Sequence, residues 1–276
     1  MLVGILAVAG AATLLGIMPS LQKQVLVDGL PMNSLMAYTN LIITLVSLAM
    51  ALAKKRSLRA RPAQAVQAVL MGTVGMLLTA LLLNNAYLYL PVGVAIMLNF
   101  LYPTVVCVVM GTVFRQGFTR LQVMAILCSI AGMVFLAGKG GDLHPAGLVF
   151  ALVSAFTYGG YLIANEKGPA NLLPIETKLF YVSLPGTVIF WLLAPATHTL
   201  AVPAGGGMGW LYVLGSGLFT VGGYFLMMYG ISRMGASMAA FVSMLEPIVS
   251  VVFGTIWFRD PITAGVVVGG LLVLSS

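Results

Sequence analysis

Charge is what this sequence has least of. Only 7% of its 276 residues are Asp, Glu, Lys or Arg, and just six are acidic. Soluble domains carry about a quarter charged residues, so a water-facing globular domain is excluded. Cysteine and histidine are sparse too, with two of each. Cys107 and Cys128 both sit inside apolar runs, where they read as small hydrophobes and not as a disulfide or a metal pair. His144 and His198 fall in short connections. The "GSG" at 215–217 therefore has no histidine base inside an apolar segment, and no aspartate pair lies in one either. No catalytic residue, metal or cofactor is expected, and the chain does not read as an enzyme. The net charge is +7, but five of the thirteen cations crowd into one stretch: Lys54, Lys55, Arg56, Arg59 and Arg61. Such a cluster beside an apolar run sets topology and meets anionic membrane lipid; it gives no reason to expect nucleic acid.

What is abundant is apolar sequence. Hydrophobic residues make up 61% of the chain, and the mean hydropathy is +1.08. A bilayer-crossing helix needs about 20 apolar residues, so the chain holds roughly ten and no separate soluble domain. Apolar runs set off by charged or Gly/Pro-rich breaks predict spans at 2–22, 32–53, 64–87, 91–114, 119–138, 145–165, 174–195, 207–230, 235–258 and 262 to the end. The opening "MLVGILAVAGAA" contains a cleavage-like string of small residues. It lacks a basic leader, however, and its apolar pattern runs on to Gln22, so it reads as the first span. The tenth span has about fifteen residues before Ser276, roughly 22 Å of helix, which implies a native chain that continues further.

The two halves resemble each other. A shift of 144 positions lays "FLYPTVVCVVMGTVFRQGFT" over "MLEPIVSVVFGTIWFRDPIT", matching Pro103 with Pro247, Phe114 with Phe258 and Arg115 with Arg259. The same shift pairs Thr13 with Thr157, Gly16 with Gly160 and Lys23 with Lys167. After a one-residue gap, Pro31 meets Pro174 and Tyr38 meets Tyr181. A shared offset across both halves points to duplication, with residues 1–140 as one unit and 141–276 as the other. Five crossings per copy leave the second copy upside down, an arrangement found in secondary transporters. The cations follow that geometry. Connections after even-numbered spans hold Arg115, Arg120, Lys167, Lys178 and Arg233 besides the Lys54–Arg61 cluster; those after odd-numbered spans hold only Lys23, Lys139 and Arg259. The positive-inside rule then places both termini in the cytoplasm.

Polar residues within the spans single out a candidate site. Ala239, Ser243, Glu246 and Ser250 share one face of the ninth span, and Ala95, Asn99, Tyr102 and Val106 are their counterparts in the fourth. Small or polar stripes on apolar helices face protein or a watery cavity. Glu246 alone among the acids has long apolar sequence on both sides. A charge at that depth costs about 2.5–3.5 kcal/mol on insertion scales, so it is expected to be paired, protonated or solvated in a cavity. Its repeat counterpart is Tyr102, and each is followed by a proline, Pro103 and Pro247, expected to act as a helix hinge. Thr13, Asn84, Asn85, Asn99, Tyr158, Tyr161 and Tyr224 join Tyr102, Ser243 and Glu246 as a candidate substrate lining. The structural alternatives are a hydroxyl bonded to its own helix, and a protonated Glu246 holding helices together.

These residues resemble the drug/metabolite transporter superfamily, in particular its ten-span EamA-type members. The likeness is carried by "LLGIMPSLQK" (14–23), "AYLYLPVGVAIMLNFLYP" (86–103), "SAFTYGGYLIANEK" (154–167) and "GISRMGASMAAFVSMLEP" (230–247), and it covers nearly the whole chain. It implies an all-α integral membrane protein of ten transmembrane helices arranged as two inverted five-helix repeats. Spans one, three, four, six, eight and nine would surround a central path. Where the family usually has a glutamate ending spans four and nine, this chain has Gln116 and Asp260. The expected activity is that of a secondary transporter of the inner (plasma) membrane. It would export or exchange a small polar, zwitterionic or cationic metabolite, amino-acid-like, by alternating access, with Glu246 as the proton-coupling residue or the partner of a substrate ammonium. An uncoupled facilitator of the same fold, a lipid or headgroup-carrier flippase and a structural membrane protein are the alternatives. The expected partners are the substrate, protons and membrane lipids, with the chain a monomer or homodimer.

Overall fold

The computed structural model describes residues 1–86, 88–90, 95, 98–120, 123–124, 126–127 and 144–258. The expected tenth span and most of the fifth lie outside the described residues. The regular elements among the described residues are all helical. They are α1 (Leu2–Val27), α2 (Met32–Ala53), α3 (Pro62–Leu70), α4 (Leu78–Ala86), α5 (Tyr102–Thr112), α6 (Pro145–Glu166), α7 (Ile175–Ala196), α8 (Gly207–Met234), α9 (Ala236–Val242) and α10 (Leu245–Phe258). A π-helical turn, Met71–Leu77, joins α3 to α4. Six helices among the described residues are long and apolar enough to cross a bilayer: α1, α2, the stretch Pro62–Leu83, α6, α7 and α8. They coincide with the expected spans one, two, three, six, seven and eight.

Proline sets where several of these helices start. Pro62 and Pro145 open α3 and α6, while Pro31 and Pro174 precede α2 and α7 in an extended conformation. A first helical turn has no intrahelical partner for its N–H groups, so the missing donor costs nothing there. The outer surface is apolar, with Leu192, Leu218, Phe156 and Ile256 all at least half exposed. Apolar surface on that scale needs a non-aqueous neighbour, and a bilayer supplies it.

The helices pack through contacts that recur reciprocally. α2 and α7 run antiparallel, and Thr44 Oγ1 meets Thr187 Oγ1 at 2.8 Å in the middle of their interface. Tyr38 Oη donates to the Ala201 carbonyl at 3.0 Å, and Tyr181 Oη donates to the Leu58 carbonyl at 3.0 Å. Asn33 Nδ2 donates to Thr197 Oγ1 at 3.3 Å at one end of the pair. At the other, Lys54 Nζ meets Glu176 Oε1 at 2.7 Å. Lys55 and His198, next to these contacts, both take left-handed backbone angles, φ 52° and 53°. In every case the counterpart is 143 positions away. A further match joins the helices around the candidate site. A Cβ on Gly16 would lie 2.7 Å from the Glu246 carbonyl and 2.9 Å from Val249 Cβ; one on Gly159 would lie 3.4 Å from the Tyr102 carbonyl and 3.2 Å from Val105 Cγ1. By contact, then, the counterpart of Gly16 is Gly159. Gly160, its match in the sequence alignment, faces open space.

Candidate functional site

Two interrupted helices bring the site together. α5 begins at Tyr102, after the chain turns at Phe100 and Leu101. The ninth span likewise breaks at Ser243 and Met244 before α10 resumes at Leu245. At the second break, Met244 N–H bonds the Phe241 carbonyl at 3.1 Å and Glu246 N–H bonds the Ser243 carbonyl at 2.9 Å, three-residue turns in place of four. The polar stripe of the ninth span is therefore not carried by one continuous helix. The breaks also fall upstream of the expected hinges, so that Pro103 and Pro247 each sit in the first turn of the restarted helix. Glu246 gains from this. In the first turn of a helix a carboxylate faces unpaired N–H groups and the positive end of the helix dipole.

Around the half-buried Glu246 stands a group of phenols. Tyr102, Tyr158 and Tyr224 lie within electrostatic range of its carboxyl group. The Tyr102 and Tyr158 rings meet edge to face with centroids 4.7 Å apart, and Tyr158 stacks on Tyr161 at 5.9 Å. Tyr161 and Tyr224 are within electrostatic reach of each other as well. Tyr102 Oη lies 2.7 Å from Ser243 Oγ, which is fully buried. Among the described residues no cation pairs with Glu246. The π-turn contributes through Gly75, where a Cβ would lie 2.7 Å from Tyr161 Cβ, so the Tyr161 backbone sits directly against the third span. Such turns often occur at functional sites, because one extra residue lets a neighbouring helix approach.

The structure places the other expected lining residues differently. Asn99 Nδ2 donates to Ser154 Oγ at 2.9 Å, bridging the fourth and sixth spans beside the phenols. Thr13 is exposed and donates to its own helix at Ala9, 2.9 Å away. Asn85 is also exposed and donates to the Leu81 carbonyl at 2.8 Å. Asn84 lies on α4, and its side chain is outside the described residues.

Two buried polar groups on α6, Tyr161 Oη and Asn165 Oδ1, make no hydrogen bond of good geometry among the described residues, though the two side chains lie within hydrogen-bond reach of each other. An unpaired buried polar group costs about 1–3 kcal/mol, so each needs an explanation. Lys178, counted among the connection cations although it falls at the start of the span expected at 174–195, lies in the first turn of α7 and is only 2% exposed. Glu166 was not legible as more than a helix end. Its Oε2 accepts the Ala236 N–H at 2.6 Å, and its Oε1 accepts from Gln116 Nε2 at 3.3 Å and Lys167 Nζ at 2.6 Å. One carboxylate thus ties the ends of the fourth and sixth spans to the turn before α9. The signal for it is Gly235, whose φ of +84° lets the chain present the first N–H of α9 to an acceptor.

Comparison with known proteins agrees with this architecture. The model of the EamA-like transporter family matches residues 2–138 and 145–276. A Synechocystis sp. protein described as an uncharacterized transporter is 27% identical over 210 residues, which cover 73% of this chain. The matched region spans 62% of that relative's own length. A solved crystal structure superposes with a TM-score of 0.77 at 18% identity, covering 98% of this chain and 94% of the other; the likeness concerns the fold alone.

Proposed function

The chain belongs to the EamA-like transporter family, within the drug/metabolite transporter superfamily, and is a multi-pass membrane transporter of some small substrate; from that premise we propose how it works. It is a secondary transporter that exports or exchanges a small polar, zwitterionic or cationic metabolite by alternating access. Residues 1–140 and 141–276 act as two inverted five-helix repeats, giving ten spans in all. Support for the repeat comes from the reciprocal contacts 143 residues apart, above all Thr44 against Thr187. A residue meets its own counterpart only where a twofold axis passes between them. Tyrosine and asparagine contacts exchanged at the two ends of α2 and α7 point the same way.

The single observation that carries the substrate class is the position of Glu246. Among the described residues it is a carboxyl group with no cation paired to it, in the first turn of a broken helix, with Tyr102, Tyr158 and Tyr224 within electrostatic range. An acid with phenol rings in the same region favours an ammonium over an anion, since the acid repels a like charge and aromatic rings can receive a cation. Glu246 either binds that ammonium or carries the proton exchanged for it. The cation distribution in the sequence supports both termini lying in the cytoplasm of a cell whose inner membrane holds the protein. The protein works as a monomer or a homodimer.

The test is transport in proteoliposomes, after a thermal-shift screen of amino acids, amines, nucleosides and lipids has supplied a ligand. Glu246→Gln is expected to abolish substrate-driven counterflow or its pH dependence. Wild-type rate and pH dependence in that variant would remove Glu246 from the mechanism. A proton gradient that fails to drive accumulation would make the protein an uncoupled facilitator, and stabilisation by lipids alone would favour the flippase.

A further inference from the structure

A Cβ on Gly160 would meet nothing within 4 Å, because this residue borders a groove between α5 and α6 of about 550 Å³. Val105 and Val109 form one wall, and Phe156, Gly160 and Ile163 form the other. Behind it the two helices close up at Gly159, where a Cβ would lie 3.2 Å from Val105 Cγ1. Phe156 is 60% exposed, so the groove opens on the outer surface of the bundle and not on the phenol cluster.

One end of the groove is basic. α6 ends at Glu166, and Lys167 borders the groove together with Phe114, whose ring centroid lies 5.5 Å from Lys167 Nζ. Gln67 lies at the same end, but its amide is fully used. Its Nε2 donates to the Lys167 carbonyl at 2.8 Å, and its Oε1 accepts the Ala170 N–H at 2.6 Å. The Lys167 ammonium has three donors, of which Glu166 Oε1 takes one at 2.6 Å. That carboxylate is shared with the Ala236 N–H and Gln116 Nε2. The lysine side chain stays 34% exposed. Arg115, next to Phe114 in the chain, is exposed as well. Among the described residues no acid lines the groove.

The groove's length matches one leaflet. From Phe156 to Lys167 is about 16 Å of helix rise, close to half of a hydrocarbon core about 30 Å thick. An apolar slot of that length, ending in cations where the helix ends, complements a molecule with a hydrocarbon chain and an anionic head. We propose that the groove holds an anionic phospholipid of the cytoplasmic leaflet, one acyl chain between α5 and α6 and the phosphate on Lys167 and Arg115. Basic pockets between membrane helices on the cytoplasmic side bind such headgroups. The choice of leaflet rests on the orientation proposed above; the role of Glu246 does not enter.

The test adds dioleoyl phosphatidylglycerol, dioleoyl phosphatidylcholine or inorganic phosphate to the full chain in detergent and follows the unfolding temperature. Phosphatidylglycerol should reach half-maximal stabilisation at a concentration at least about fivefold below phosphatidylcholine, the effect of one cation near a headgroup. Gly160→Leu, which puts a side chain into the groove, should abolish that preference, and Lys167→Gln and Arg115→Gln should each narrow it. Glutamine at Lys55, Arg56 and Arg59 together should leave it intact, and so should Glu246→Gln. Equal stabilisation by phosphatidylcholine, or the same shift from inorganic phosphate, would overturn the proposal. A preference unchanged in Gly160→Leu or in Lys167→Gln would do so too. Loss of the preference in the loop variant alone would move the lipid to the loop and overturn the groove. Loss in Glu246→Gln alone would make the lipid a cargo of the central path, overturning the groove in favour of the flippase. Should a groove variant not fold, wild-type protein decides the matter. Phosphatidylglycerol with a photoreactive diazirine in its chain should label residues 156–167, and labelling confined to other segments would overturn the site.

Discussion

Tyr102 Oη and Ser243 Oγ lie 2.7 Å apart, joining the first residue of α5 to the break between α9 and α10. Ser243 Oγ also donates to the Ala240 carbonyl at 2.8 Å. A serine hydroxyl has one proton, so Tyr102 must be the donor in the bond between them. The consequences of removing either partner are unequal. Tyr102→Phe deletes the donor and leaves Ser243 bonded, a loss of about 1 kcal/mol. Ser243→Ala leaves a buried phenol unpaired, at about 1–3 kcal/mol. Thermal unfolding in detergent should rank Ser243→Ala as the more damaging; the reverse order would show that the proton runs the other way.

Gly16 and Gly160 occupy matching places in the sequence but not in the packing. Gly16→Ala forces a methyl to within 2.7 Å of the Glu246 carbonyl, an atom of the backbone that cannot swing aside. Overpacking of this kind costs about 1–3 kcal/mol and displaces the very turn that holds Glu246. Gly160→Ala meets nothing within 4 Å and gains helix propensity. The first should lower both the unfolding temperature and substrate affinity, the second neither, as read from thermal shift with and without ligand.

Glu166 gathers three segments at one end of the bundle. Glu166→Ala removes the acceptor for the Ala236 N–H and for Gln116 at once. The turn at Gly235 and the start of α9 should loosen while the helices themselves persist. A single cysteine at Ser237, 9% exposed in the intact protein, reports this in a background with Cys107 and Cys128 replaced by serine. Its maleimide labelling should accelerate severalfold in the Glu166→Ala variant. Unchanged labelling would show that packing alone holds the turn.

The Lys54–Glu176 pair and its counterpart Asn33–Thr197 differ in chemistry. The lysine side chain is about half exposed, at 49%, so the pair contributes at most about 1 kcal/mol and is screened by salt. Glu176→Gln should lower the unfolding temperature by about 2–4 °C at low ionic strength, and the difference should shrink in high salt. Asn33→Ala removes neutral hydrogen bonds, and its effect should not depend on salt. Parallel melts across a salt series separate the two.

Much of this protein was legible in the chain. The scarcity of charge and the spacing of apolar runs located six long membrane-crossing helices, because a bilayer demands unbroken apolar length and internally paired backbone, both of which are properties of local sequence. Glu246, Tyr102, Tyr158 and Tyr161 stood out for the same reason: a polar group at that depth needs a cause. Packing alone decided the rest. It set Gly159 and not Gly160 against the fourth span, because a one-residue offset changes a helix face without changing its composition. It broke the ninth span upstream of Pro247, where turns closed by neighbouring contacts replaced a regular helix. It turned Thr13 and Asn85 back onto their own helices and buried Lys178 in α7, since a side chain's partner depends on which helix lies beside it. The link from Glu166 to Ala236 spans 70 residues, and only the folded chain brings the two together.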